Sequence, residues 1–170
     1  FRSKRADEQV RVIGLRRRIA ENMAASKRHI PHFSYVEECD VTALEAMRGQ
    51  LNEARGDRPR LTMLPLLIAA ICKTVPQFPM INARYDDEAG VLTQYAAVHV
   101  GIAAQTPNGL MVPVVRDADR KGVFDLAREL SEISKVAKEG KLKAGDMQGG
   151  TFSISSLGGI GGTCFTPIIN

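Results

Sequence analysis

The sequence predicts an α/β (α+β) fold, a mixed or antiparallel sheet covered by helices. Three observations predict it. Residues 81–95 and 97–117 both alternate around turn-forming residues and read as hairpins. Helix-period apolar residues recur between the extended segments, at 16–28, 44–51 and 126–137. Residues 61–75 are almost wholly apolar, the pattern of a buried helix.

The elements follow in order. Phe1 to Arg11 is polar and charged and reads as the end of an interdomain linker. From Arg16 to Arg28, Ile19 and Met23 sit i, i+4 with alanines between them, which predicts a helix. "IPHFSYVEECDVT" (30–42) has the Tyr, Val and Phe content of a strand. Thr42 opens T-x-x-E with Glu45, a capping box for a helix whose apolar face is Leu44, Met47 and Leu51. Gly56 and Pro59 break that helix. The apolar helix over 61–75 should be capped by Thr62 and stopped before Pro76. The first hairpin turns at 86–90. The second turns at Thr106-Pro107-Asn108-Gly109, where Asn-Gly tolerates positive φ. Leu126, Leu130, Ile133 and Ala137 form one face of a helix ending near Gly140, and a strand starts at Thr151.

Composition narrows the function classes. At 170 residues, 44% hydrophobic and 25% charged, the chain suits one globular domain with a real core. A net charge of +4 is too mild to imply nucleic acid but suits an anionic ligand. Aromatics at 5% and no Trp weaken any base-stacking role. Cys39, Cys72 and Cys164 show no C-x-x-C spacing, so reduced thiols are expected rather than a zinc site or disulfides. The longest apolar run, Leu64 to Cys72, contains Pro65 and is too short to cross a membrane. The N-terminus lacks the apolar stretch of a signal peptide. It begins at Phe1, from which a piece of a longer protein is expected.

The chain closes on "TFSISSLGGIGGTCFTPIIN". Neither G-x-x-x-x-G-K-[ST] nor G-x-S-x-G occurs. The dinucleotide pattern G-x-G-x-x-G fails because Cys164 stands where its third glycine should be. What remains is a strand with Ser153 and Ser155 on one face and Ser156 on the other, running into glycines. Either the serines satisfy a sheet edge, or one of them donates a hydrogen bond to an oxyanion.

"VIGLRRRIAENMAASKRHIPHFSYVEECDVTALEAMR", "FPMINARYDD", "HVGIAAQTPNGLMVPVVRDADRKGVFDLARELSEI" and "GGTFSISSLGGIGGTCFTPIIN" together resemble the catalytic core of dihydrolipoamide acyltransferases. These are the E2 components of 2-oxoacid dehydrogenase complexes. "IPHFSYVEECDVTAL" looks most like the branched-chain type, with acetyl and succinyl types as alternatives. The resemblance implies a chloramphenicol-acetyltransferase-like mixed sheet, with 12–170 the N-terminal majority of the catalytic domain and its C-terminal part missing. It implies a homotrimer that builds a cubic or dodecahedral core, with active sites between subunits. Coenzyme A and a lipoyl group carried on a separate domain would be the substrates, with no metal, no nucleic acid and no membrane. E1 and E3 would attach through other E2 domains. The bacterial cytoplasm and the mitochondrial matrix both fit.

By position in "FSISSLG", the family's oxyanion-stabilising hydroxyl maps to Ser155. The family's base is a histidine in H-x-x-x-D-G, a motif this sequence lacks. None of His29, His32 and His99 has Asp or Asn four positions on, so this chain alone is expected to be a poor catalyst or none. His32 is expected to be structural or channel-lining, and His99 a satisfied sheet residue. Arg16, Arg17 and Arg18 form a basic cluster suited either to coenzyme A phosphates or to a solvated helix face. Asn108, Gly109 and Met111 resemble channel-lining residues, Asp117 a residue near the catalytic centre, and Gly158 part of the channel loop. Two rival functions remain open: a scaffold that builds a core without chemistry, and a different acyl-CoA enzyme on the same fold.

Overall fold

A computed structural model describes residues 7–106, 109–156, 161–162 and 164–169. The chain divides into two compact units, residues 1–37 with 161–170, and residues 38–160.

In the first unit, helix α1 (Gly14–His29) buries none of its residues. Arg17 and Glu21, one turn apart, pair at 2.8 Å. Lys27, Arg28 and His29 occupy the last turn, where positive charge suits the helix dipole. The strand expected over 30–42 is not formed, because nothing among the described residues pairs with it. Strand-forming side chains need a neighbouring strand or a face to pack on. Here Phe33 and Tyr35 are 89% and 80% exposed. His32 instead ties this extended segment to residue 169. Its Nδ1–H donates to the Ile30 carbonyl at 2.8 Å, and its Nε2 accepts the Ile169 amide at 3.0 Å.

The second unit begins with helix α2 (Thr42–Glu53). The expected Thr42–Glu45 capping box is absent. Asp40 Oδ1 accepts the Thr42 amide at 2.8 Å instead, and Glu45 turns to Arg48 at 2.6 Å. Hydrogen bonds from the Thr42 side chain and then its amide hold the Asp40 carboxyl below the usual carboxylate range. Asn52 grips Leu61 from both sides, Leu61 N to Oδ1 at 2.8 Å and Nδ2 to Leu61 O at 3.0 Å. That joins α2 to the start of helix α3 (Met63–Thr74). Thr62 stands at the N-cap of α3 without a side-chain bond. The helix is not buried all round: Leu67 is 42% exposed. A 3-10 turn at Val75–Gln77 follows it.

Strands β1 (Ala83–Asp86) and β2 (Val91–Gln94) form the first expected hairpin. The second is split in two. Strand β3 (Val100–Ile102) pairs with β6 (Val114–Val115), and β4 (Ala104–Thr106) with β5 (Gly109–Met111). Pro113 has no N–H to continue the ladder, although its carbonyl still accepts from Ile102 at 2.9 Å. Helix α4 (Val123–Lys138) follows, and strand β7 (Phe152–Ile154) then lies parallel to β3. The sheet order β6-β3-β7 is therefore mixed.

Alternation places Val100 and Ile102 on one face of β3, opposite Phe152 and Ile154 of β7. Ile68 and Cys72 of α3, Val100, Val115 and Leu126 of α4 join in one buried cluster, with Ile102 and Ile154 packed against it. The other face of β3 is closed over Gly101. A Cβ added there would sit 2.9 Å from Val112 Cγ1 and 3.1 Å from Ser153 Oγ. Gly101→Ala should therefore destabilise the protein by about 1–3 kcal/mol through overpacking. Chemical denaturation checks this: an unchanged midpoint would mean the two side chains yield freely.

Candidate active site

Ser155 lies one residue beyond β7 and is exposed. The strand ends at Ile154, whose carbonyl accepts from Ala103 at 3.0 Å. Alternation along a strand therefore does not fix which way Ser155 and Ser156 face. The same end of the sheet holds β5, because Ala104, next to Ala103, pairs with Met111. Met111 is half-buried, and Gly109 takes φ +122° where β5 begins. The structure thus brings Ser155 and Met111, the last residue of β5, to one end of the β6-β3-β7 sheet, while Gly109 lies farther out, opposite Thr106. Asn108 and Gly158 lie outside the described residues.

Asp117 sits at the opposite end. It has φ 48° and ψ 45°, the left-handed region, and engages through its backbone: its amide donates to His99 Nδ1 at 2.9 Å. Four residues of extended chain, roughly 13 Å, separate Thr151 at that end from Ser155. Around Asp117 the chain straps the entry of β3. Ala118 N donates to Val98 O at 2.9 Å, and Asp119 Oδ1 accepts the Val98 amide at 2.9 Å. Arg116 Nη2 reaches the loop before β7, donating to Gly145 O at 3.0 Å and Gln148 O at 3.1 Å. Its guanidinium lies 3.2 Å from where a Cβ on Gly149 would stand, and Gly149 has φ +78°, so glycine is required there. Arg116, Thr151 and Asp119 escaped the sequence reading. No local pattern marks them, since their partners lie 21 to 52 residues away.

The basic cluster and His32 belong to the first unit, and Ser155 to the second. Arg16, Arg17 and Arg18 are exposed, with Arg17 engaged by Glu21. His32 has both ring nitrogens committed to backbone groups. His99 accepts at Nδ1, so the neutral ring carries its hydrogen on Nε2. Burial, with the Asp119 charge beside it, pushes the Cys72 thiol up and away from nucleophilic use. Among the described residues, no three His, Cys, Asp or Glu side chains are grouped to hold a metal ion. A cavity of about 400 Å³ opens between β3–β4 and α4, lined by Ile102, Gln105, Leu130, Ser134 and Lys138, and Ser155 is not part of its wall.

The family model for the 2-oxoacid dehydrogenases acyltransferase catalytic domain matches residues 4–170. The chain belongs to that family. Among its members, the lipoamide acyltransferase component of the branched-chain alpha-keto acid dehydrogenase complex of Pseudomonas aeruginosa is 52% identical over 170 residues. That match covers 99% of this chain and 40% of the relative, so the chain spans about two fifths of the relative's length. The dihydrolipoyllysine-residue acetyltransferase component of the pyruvate dehydrogenase complex of Cupriavidus necator is 52% identical over 142 residues, 83% of this chain and 25% of that one. The acyltransferase fold is shared with the dihydrolipoamide acetyltransferase of Azotobacter vinelandii, studied for the roles of a serine, a histidine and an asparagine in its catalytic mechanism. The TM-score is 0.89 at 40% identity, covering 97% of this chain and 68% of that one. The cubic core of a pyruvate dehydrogenase multienzyme complex gives TM-score 0.89 at 38% identity, covering 96% and 68%. The expected fold class, a mixed sheet with packed helices of the acyltransferase core type, is met.

Proposed function

We propose that this acyltransferase domain moves a branched-chain acyl group between a dihydrolipoyl arm and coenzyme A, within a 2-oxoacid dehydrogenase complex. The observation that carries the reading is the 52% identity, across 99% of the chain, to a branched-chain lipoamide acyltransferase component. In the transfer toward coenzyme A, a base removes the thiol proton and the thiolate attacks the thioester carbonyl. The tetrahedral oxyanion accepts a hydrogen bond from the Ser155 hydroxyl. Collapse expels the dihydrolipoyl thiolate, which takes up the proton. The base is none of this chain's histidines. His32 and His99 commit ring nitrogens to backbone amides, and His29 ends α1 in solvent. We assign that role to the family's H-x-x-x-D-G histidine.

Arg16 to Arg18 offer guanidinium groups for the phosphates of coenzyme A. Assembly into a trimer and a larger core, joined by E1, E3 and lipoyl domains, is the partnership we propose. The likeness to a cubic core supports it, as do Phe33, Tyr35 and Val36, apolar side chains left in water in the single chain. Exposed free thiols at Cys39 and Cys164 suit a reducing compartment, a bacterial cytoplasm or the mitochondrial matrix.

The test is acyl transfer by the full-length protein, from isobutyryl-, isovaleryl-, acetyl- and succinyl-CoA to dihydrolipoamide. Branched donors should exceed acetyl by at least about tenfold in kcat/KM, the discrimination that a shaped apolar pocket supplies. The Cupriavidus necator relative favours acetyl as the second reading. A preference for acetyl-CoA would adopt it, and no transfer from any donor would reduce the protein to a scaffold.

A further inference from the structure

We propose that His99 is the positioning residue for Ser155: it clasps the turn at Asp117 to Thr151, the residue that leads into β7, and so sets where that strand delivers the serine. This rests on Ser155 being the oxyanion donor.

Strand β7 is only three residues long and pairs on one side, with β3, among the described residues. So short a ladder has few bonds of its own, and its ends decide its placement. At the exit, Ala103 holds the Ile154 carbonyl. At the entry the Thr151 and Phe152 amides both turn to His99. The Thr151 amide donates to His99 O at 2.8 Å and the Phe152 amide to the same oxygen at 3.2 Å. The His99 amide in turn donates to Thr151 Oγ1 at 3.0 Å. The ring of His99 points the other way, and its Nδ1 accepts the amide of Asp117, a non-glycine residue held at positive φ. Arg116, one residue earlier, grips the loop leading into β7. The imidazole's hold on the Asp117 amide thus also anchors the adjoining backbone of Arg116, whose side chain reaches that loop. His99 therefore governs the entry of β7 twice, directly through Thr151 and indirectly through Arg116.

Geometry supplies the discriminating variants. Asparagine places Oδ1 where the imidazole has Nδ1, whereas the glutamine acceptor falls nearer Nε2. In the full-length protein, His99→Gln and Thr151→Val should each lower kcat by about 10- to 100-fold, as a displacement of about 1 Å at a reacting centre does. KM for coenzyme A should stay within about twofold, because only the transition state uses the oxyanion contact. His99→Asn and Thr151→Ser should retain activity within about threefold, since each keeps its acceptor in place. In a Ser155→Ala background, His99→Gln should cost nothing further, because it acts through the serine. Equal losses for Asn and Gln, or a full additional loss in the Ser155→Ala background, would overturn the proposal. If Ser155→Ala alone leaves kcat intact, the reading of Ser155 fails on its own. Amide hydrogen exchange then decides about the clasp. His99→Gln, but not His99→Asn, should speed exchange at Asp117, Thr151 and Phe152, and unchanged exchange at those three amides would refute it.

Discussion

Ser155→Ala in the full-length protein is expected to lower kcat for acyl transfer by about 10²–10³-fold, the usual loss when one preorganised oxyanion donor is removed. KM for coenzyme A and for the acyl donor should change little, because the ground-state carbonyl gains little from a donor placed for the tetrahedral oxygen. The substitution should leave stability alone. Ser155 is exposed and lies outside the ladder of β7, so its hydroxyl closes no strand pairing. Steady-state kinetics and a denaturation curve on the same preparation separate the outcomes. A lost kcat with an unmoved midpoint is the catalytic signature. A fallen midpoint would assign the serine to the fold, and an intact kcat would return it to an ordinary loop residue. Ser155→Thr keeps a hydroxyl at the same Cβ and should retain most of the rate.

The largest effect on stability is expected at Asn82. Its side chain is fully buried, and Nδ2 donates to two carbonyls, Tyr95 O at 2.8 Å and Ala97 O at 3.0 Å. Its own carbonyl accepts the Tyr95 amide at 2.9 Å. One residue thus closes the base of the β1–β2 hairpin and fastens it to the chain entering β3. Asn82→Leu removes both donors and is expected to cost about 2–4 kcal/mol, the penalty for leaving such groups unpaired. Asn82→Asp should be worse at neutral pH, because it aims a carboxylate at two carbonyl oxygens. The pH dependence has a definite sign. Burial and the facing carbonyls favour the neutral acid, so the introduced carboxyl has a higher pKa folded than unfolded. The additional penalty is absent below about pH 4, where both states are protonated, and grows as pH rises toward the folded-state value. Denaturation midpoints across pH, compared with Asn82→Leu, check this. A pH-independent difference would show that the site admits water. Oδ1 of Asn82 has no hydrogen-bond partner among the described residues, so a bound water there is the natural route to that outcome.

Asn82 also shows where sequence reading stops. In "FPMINARYDD" it looks like one more polar residue ahead of a strand. Its importance comes from carbonyls 13 and 15 residues away. His99 is similar. Its place among Val98 and Val100 marks it as a sheet residue, and its ring partner is 18 residues on. Thr42 and Glu45 make the opposite case: the capping-box spacing is present, yet Asp40 takes the amide and Arg48 takes the glutamate. A local motif states what is available, and nearby competitors decide whether it forms.

By itself the sequence determined which segments become helix, which turn and which extend. Periods of 3.6 and 2, with Gly and Pro as punctuation, act over a few residues. It also determined the family, through long stretches of familiar spacing, and with it the candidacy of Ser155. Only the tertiary structure decided that β7 runs parallel to β3 and ends before Ser155, that the second hairpin splits at Pro113, and that 30–42 makes no strand. Strand pairing joins hydrogen-bonding groups about 50 residues apart, as between Val100 of β3 and Phe152 of β7, and no short-range pattern encodes which partner will be there.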